Sequence, residues 1–447
     1  MKIIVNIESQ TTKFSFSFIL IIKSLIGGED ILNYEIPKLR FTCLDNQKVH
    51  VLEYIHNYWK ELIVVSPPYT KGQLFYLPHP YVVPGGVFQQ LFYWDSYFTI
   101  LGLKAAKMDR LSKGIVDNFL YEMRTFGIIP NSSEVAHLSR SQPPFLTSMM
   151  KEVWGRDIEW LKHAYDIAKL EYFQVWMNPN THYHEEIGLN RYFDDLDKML
   201  RIHDEAYLHF EELSIPAQFW HERTEAESGW DYTGRFNRQC GHFIPVELNS
   251  LLYKYEVDFA DFAKILGLHD EMRNWNERAK KRKQLMDKYL WNQSEGIYYD
   301  YNFMTKQQYA YPSLATFFPL WAGLADSEQA ESIRNKVDLF LHRGGMVTSV
   351  FHTNFQWDYP NGWAPLQWIV IEGLRKYGYT EVSLDIARRW ISLCTDQFFK
   401  TGKLYEKYNV VDYNINTTGR YPLQEGFGWT NAIYTKIAVE LLDCKII

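Results

Sequence analysis

The stretch "PVELNSLLYKYEVDFADFAKILG" (245–267) decides the fold. Its apolar residues recur at three- and four-residue spacing, the period of a helix with one buried face. It closes on a glycine after Leu266, as a helix C-cap does. The same rhythm returns on both sides. It runs through 93–107, 114–127, 145–176 and 270–291, then through 313–324, 327–341, 364–378, 380–399 and 428–444. This predicts about ten to twelve helices. No long linker or low-complexity stretch divides the chain, so we expect one all-α catalytic domain over 66–447 behind an irregular N-terminal segment, 1–65. Helix pairs set in a ring would gather their connecting loops at one mouth, where binding residues concentrate.

Composition narrows the function. The chain has 447 residues, 46% hydrophobic and 23% charged, as an ordinary globular protein does. Its 15 Trp, 31 Tyr and 28 Phe are less ordinary. Aromatics fill cores, but many here sit beside Gly, Asp, Asn and Gln. That mixture suits a sugar site, where rings stack on apolar sugar faces and polar groups hold hydroxyls. The net charge is −7 with no Lys/Arg cluster, which argues against a nucleic-acid partner. There is no G-x-G-x-x-G, P-loop or H-E-x-x-H, so neither a cofactor nor a metal is expected. Cys43, Cys240, Cys394 and Cys444 are far apart without C-x-x-C, and we read all four as free core thiols.

The run "FSFSFILII" (14–22), between Lys13 and Lys23, is too short to span a bilayer. Glu8 upstream and the lack of an A-x-A site make it a buried strand or arm rather than a signal peptide. The expected location is therefore cytoplasmic, with export as the alternative if the run is a signal peptide.

Five inter-helix loops combine Trp or Phe with carboxylate, amide or guanidinium groups. They are "PYVVPGGVFQQLFYWDSYF" (80–98), "GIIPNSSEVAHLSRSQPPF" (127–145), "ESGWDYTGRF" (227–236), "NFQWDYPNGWAPLQW" (354–368) and "YEKYNVVDYNINTTGRYPLQEGFGWTN" (405–431). Each alone has a plain reading. Trp94-Asp95 reads as a core aromatic with a helix N-cap, "PNGW" as a turn, a loop acid as solvated. Together they fit glycoside hydrolysis. An acetal needs a proton donor at the leaving oxygen and a second carboxylate for water or for the anomeric carbon. A separation of ~5–5.5 Å gives retention, and ~6.5–9.5 Å admits a water and gives inversion. Asp231, after Trp230, suits the acid, because burial would keep it protonated. Glu406 is the candidate base.

At these residues the chain resembles the trehalases of glycoside hydrolase family 37. "PGGVFQQLFYWDSYF" and "QWDYPNGWAP" look like the two trehalase signatures, and "SRSQPPF", "ESGWD", "EKY" and "PLQEGFGWTN" are similar in order and spacing to other family blocks. The resemblance implies an (α/α)6 barrel, an inverting mechanism and a small-molecule disaccharide substrate; the chain is expected to be a monomer. It implies Asp231 as general acid and Glu406 as general base. It implies sugar contacts from Trp94, Asp95, Asn131, Arg140, Ser141, Gln142 and Gly229, with Phe88 lining the same pocket.

Three departures stand out. Val87 follows the paired glycines where the family has Arg. The family's "PRPE" block is absent after "LNRYFDD" (189–195), where Arg201 and Glu205 are only loosely comparable. "NTTGRYPLQ" replaces a glycine-rich loop, so Arg420 stands where a substrate-contacting Glu is expected. One reading is drift, with Arg420 restoring the charge lost at Val87. The other is an altered leaving-group subsite, in a hydrolase of trehalose 6-phosphate or of a glycosylglycerate. Outside the hydrolases, a non-catalytic sugar-binding protein would be free to lose its acids, yet both are present. A phosphorylase has no need of Glu406. A lyase on the same barrel needs a Tyr/His pair that the five loops do not present.

Overall fold

The computed structural model describes residues 36–67, 73–198 and 217–447. The apolar run at 14–22, Arg201 and Glu205 lie outside them. The helices are α1 (Asn46–Leu62), α2 (Tyr93–Ala105), α3 (Asp109–Phe126), α4 (Leu146–Val153), α5 (Ile158–Glu171), α6 (Ala217–Glu227) and α7 (Val246–Ile265). They continue with α8 (His269–Tyr289), α9 (Phe318–Ala322), α10 (Ser327–Arg334), α11 (Val337–Phe340), α12 (Ala364–Lys376), α13 (Thr380–Thr401) and α14 (Gly428–Glu440).

Burial sorts most of them into two rings. In α2 every residue but Lys104 is buried, in α14 everything from Gly428 to Ala438, and α4, α7, α9 and α12 are nearly as enclosed. A helix that is apolar all round belongs inside. These six pack in a closed circuit: α2 on α4, α4 on α7, α7 on α9, α9 on α12, α12 on α14, and α14 back on α2. The helices between them in the chain bury one face only. In α8 that face is Trp275, Ala279, Arg282 and Met286. The circuit closes where α2 and α14 touch backbone to backbone. A Cβ on Gly102 would lie 2.3 Å from the Ala432 Cα, so only glycine fits there. The result is the expected (α/α)6 toroid, the fold of an all-α domain.

Four local features differ from the sequence reading. The stretch expected to be irregular up to residue 65 contains α1, started by an Asp45 side chain that accepts from Gln47 N. This helix belongs to the outer ring and packs against α13 and the inner α14. The helical pattern over 145–176 breaks between α4 and α5, where Gly155 and Arg156 both adopt positive φ and Asp157 caps the new helix. "PNGW" is no turn: Asn361–Trp363 is a strand, antiparallel to Lys407–Asn409, with Trp363 opposite Lys407. Finally, Cys43 and Cys444 are not free thiols. They form a disulfide beside the ribbon that joins Phe41–Thr42 to Lys445–Ile446. A spacing of 401 residues carries no local signal, and the pairing exists because Phe41–Thr42 lies antiparallel to Lys445–Ile446. Cys240 and Cys394 are free and buried, as expected.

Candidate active site

The loops on one rim of the toroid enclose a small cavity of about 70 Å³. Of the residues expected at the site, Phe88, Trp94, Asp95, Gln142, Gly229, Asp231 and Glu406 line it. Pro84, Phe92, Trp357, Trp363, Tyr421, Phe427 and Trp429 complete the wall. These seven were not singled out from the sequence. All lie in loops that were, but a loop tryptophan looks the same whether it walls a cavity or fills the core.

The wall is an aromatic lattice. Trp357 stacks on Trp363 at 3.9 Å between ring centroids, and Trp94 meets Trp357 at 5.7 Å and Trp429 at 5.9 Å. Phe88 contacts Tyr421 at 5.7 Å and Phe427 at 6.0 Å. Trp230, expected to desolvate Asp231, lies behind this wall. It is fully buried, stacks on Trp357 at 5.6 Å and carries the Arg235 guanidinium at 4.6 Å.

Asp95 sits in the first turn of α2 and is no N-cap; Phe92 holds that position. The free N–H of Trp94 is satisfied instead by Gln142 Oε1 at 3.1 Å. Burial, with Glu406 and Asp231 nearby, pushes the Asp95 carboxyl up to about 8. Gly229 packs flat on Trp94. Its φ is +72° and a Cβ would lie 2.8 Å from the indole, so a side chain is excluded by both conformation and space.

Asp231 lies between the inner cavity and a wider outer one of about 290 Å³, and its side chain is 27% exposed. Its Oδ2 accepts from Gln356 Nε2 at 3.2 Å and from Arg420 at 3.0 Å. Burial raises its pKa, and Arg420, Lys407 and Arg140 oppose the rise. Two buried carboxyls hold its loop. Glu225 accepts from Tyr232 N at 2.6 Å and Thr233 N at 3.3 Å. Asp358 accepts from Gly234 N, Tyr311, Ser349 and Thr353 at 2.7–2.9 Å.

Glu406 is placed by a backbone bond from its N–H to Gln424 O at 3.0 Å and by the adjoining strand at Lys407. Its two oxygens accept from Tyr421 at 2.7 Å and Lys407 at 2.8 Å. Burial again raises its pKa, while Lys407 and Tyr421 pull it down. The two carboxyls thus share one desolvated cavity with different partners.

Asn131, Arg140 and Ser141 do not line the inner cavity. Asn131 donates to the carbonyls of Ser141 and Ala226, Ser141 Oγ donates to Ile129 O, and Arg140 pairs with Asp194 at 3.2 Å. Val87 is 68% exposed and does not line the inner cavity.

A helical toroid whose rim loops close around two carboxyls in an aromatic pocket, Glu406 buried and Asp231 half-buried, defines a class, the toroidal glycoside hydrolases. Within it the chain belongs to the Trehalase family, which it matches over residues 34–441. It is similar to neutral trehalase Nth1 from Saccharomyces cerevisiae at 33% identity and a TM-score of 0.70, covering 86% of this chain and 78% of that one. The fold recurs in a family 63 mannosylglycerate hydrolase from Thermus thermophilus, at 18% identity and TM-score 0.61, over 88% of this chain and 99% of that one. It recurs also in a family 78 rhamnosidase of Bacillus sp. GL1, at 14% identity and TM-score 0.56, over 90% and 35%. The protein is a glycoside hydrolase.

Proposed function

We propose that the enzyme cleaves the α,α-1,1 bond of trehalose with inversion, Asp231 acting as general acid and Glu406 as general base. The observation that carries this reading is the pair itself, two carboxyls lining one aromatic cavity, Asp231 accepting from Gln356 and Arg420 and Glu406 from Tyr421 and Lys407. One glucose ring occupies the inner cavity, against Trp94 and Trp357, and the leaving glucose lies toward the outer one. Asp231 protonates the bridging oxygen as the bond from that oxygen to the anomeric carbon breaks. Glu406 takes a proton from a water whose oxygen bonds to the anomeric carbon on the opposite face. Burial raises both pKa values, and a cation opposes the rise at each, Lys407 at Glu406 and Arg420 at Asp231. Neutral Asp95 is able to donate to a sugar oxygen. Asn131, Arg140 and Ser141 support the loop that carries Gln142, and Arg140 extends its positive field to Asp231.

Among the described residues both carboxyls and the cavity wall come from one chain, which supports a monomer. Among the described residues no helix is long and apolar enough to cross a membrane. The Cys43–Cys444 disulfide supports the exported alternative over a reducing cytoplasm.

Proton NMR of the first products from trehalose tests the mechanism. Inversion yields one β- and one α-glucose per turnover; α-glucose alone would mean retention and end this assignment. Asp231→Asn should lower kcat by at least about a thousandfold while sugar still binds.

A further inference from the structure

The outer cavity shares Asp231 with the inner one and is lined also by Glu225, Tyr232, Arg238, Phe355 and Arg420. Its charges are uneven. Glu225 turns inward to the Tyr232 and Thr233 N–H groups, and burial pushes it up to about 8, so it carries little charge at neutral pH. Arg238 is paired with Glu222 at 3.2 Å. Arg420 is the notable group. Its side chain is 54% exposed, its guanidinium carbon lies 6.0 Å from the Tyr232 ring centre, and among the described residues its one hydrogen bond goes to Asp231 Oδ2.

That contact opposes the reaction. A general acid must hold its proton, and a guanidinium at 3.0 Å favours the carboxylate. Arg420 borders the outer cavity, the side on which the reading above puts the leaving group. An anion there gains a two-pronged, charge-assisted partner, which a neutral sugar lacks. It also draws Arg420 away from Asp231, whose burial then retains the proton. From this geometry we propose that Arg420 makes the outer cavity a subsite for an anionic leaving group, a phosphate ester or a carboxylate, and so determines specificity. The proposal rests on the hydrolase reading above and names its substrate class. Because the anion alters the acid as well as the contact, the preference appears in kcat as well as in KM.

The experiment compares kcat/KM for trehalose, trehalose 6-phosphate and an α-glucoside of glycerate in the wild type, Arg420→Gln and Arg420→Lys. We expect one anionic substrate to exceed trehalose by at least about tenfold in the wild type, Arg420→Gln to erase that ratio, and Arg420→Lys to keep part of it. Which anion leads identifies phosphate or carboxylate as the natural group. On trehalose, Arg420→Gln should move the basic limb of the pH profile upward. Lys407, Arg140, Glu225, Glu406, Asp95 and Tyr421, which also face Asp231, are unchanged by it. A wild type that prefers trehalose, or a ratio that Arg420→Gln leaves in place, overturns the proposal. If the wild type hydrolyses none of the three, the hydrolase reading fails by itself. Calorimetric titration then decides the subsite: tighter binding of trehalose 6-phosphate than of trehalose, lost in Arg420→Gln, upholds it, and equal binding overturns it.

Discussion

Lys407 Nζ lies 2.8 Å from Glu406 Oε2, and both side chains are all but sealed from solvent. Residues adjacent in a strand ordinarily point to opposite faces. Here Glu406 lies just ahead of the strand, and the lysine folds back over Trp363 and Tyr421, each 4.7 Å from its ammonium. The pair counters the rise that burial imposes on the Glu406 pKa. Lys407→Met should therefore let burial lift the Glu406 pKa, moving the acid limb of kcat/KM to higher pH by about one unit or more. Below pH 6 the loss should exceed about tenfold, and Lys407→Arg should recover part of it. An acid limb that stays put in Lys407→Met would assign the base elsewhere.

Asp231 and Glu406 could be singled out in the sequence because each follows an aromatic residue in an inter-helix loop, Trp230 and Tyr405, and both line the inner cavity. The fold was legible for the same kind of reason: α7 and its neighbours carry an unbroken helical period. The cavity wall was less so. Trp230 and Trp357 both precede an aspartate, yet one is packed behind the wall and the other forms it. That difference depends on which loop crosses which at the rim. Asn131 and Gln142 show the same limit. Both are loop amides, and one is spent on carbonyls while the other lines the cavity and caps α2. The disulfide was hidden because the pairing of Phe41–Thr42 with Lys445–Ile446 is a property of the whole ring.

Asp358 accepts bonds from three segments and ties the loop after Asp231 to the loop at 349–353. It is a positioning residue, since it touches no part of the inner cavity. Asp358→Ala orphans these buried donors and should cost at least about 3 kcal/mol in urea denaturation. Asp358→Asn keeps the shape and should fold. Its defect should appear in kcat, about ten- to a hundredfold, with KM little changed. A variant with normal kcat would show that Asp231 is held without it.

The Cys43–Cys444 bond ties α1 to the C-terminal end of α14, and Lys48 reinforces the junction with an ion pair to Asp443 at 2.7 Å. Through α1 it supports the site, because the Tyr58 ring packs against Gly426 and Leu62 packs against Gly85 at the rim. Cys43→Ser with Cys444→Ser should lower stability by about 2–4 kcal/mol. The same loss should follow reduction of the wild type, and the reductant should have no effect on the double variant. Equal thermal midpoints for oxidised wild type and double variant would show that the clamp contributes nothing.

Asp95 and Glu225 make stability fall with rising pH. Each carboxyl is buried and held near 8, well above its unfolded value, so between about pH 4 and pH 8 the folded chain binds protons that the unfolded chain has released. Their contribution is fully present below the unfolded pKa and is lost as pH rises through the folded one. Other groups add their own slopes, so the test is a difference. Asp95→Asn cannot ionise and keeps the size of the side chain. Urea denaturation at pH 5 and pH 8 should show the wild type losing more stability over that interval than Asp95→Asn, with the gap opening toward pH 8. Sugar binding should weaken in the variant at both values, since the amide replaces a carboxyl in the cavity wall. Parallel stability curves for the two proteins would mean that Asp95 is ionised in the folded state across the range.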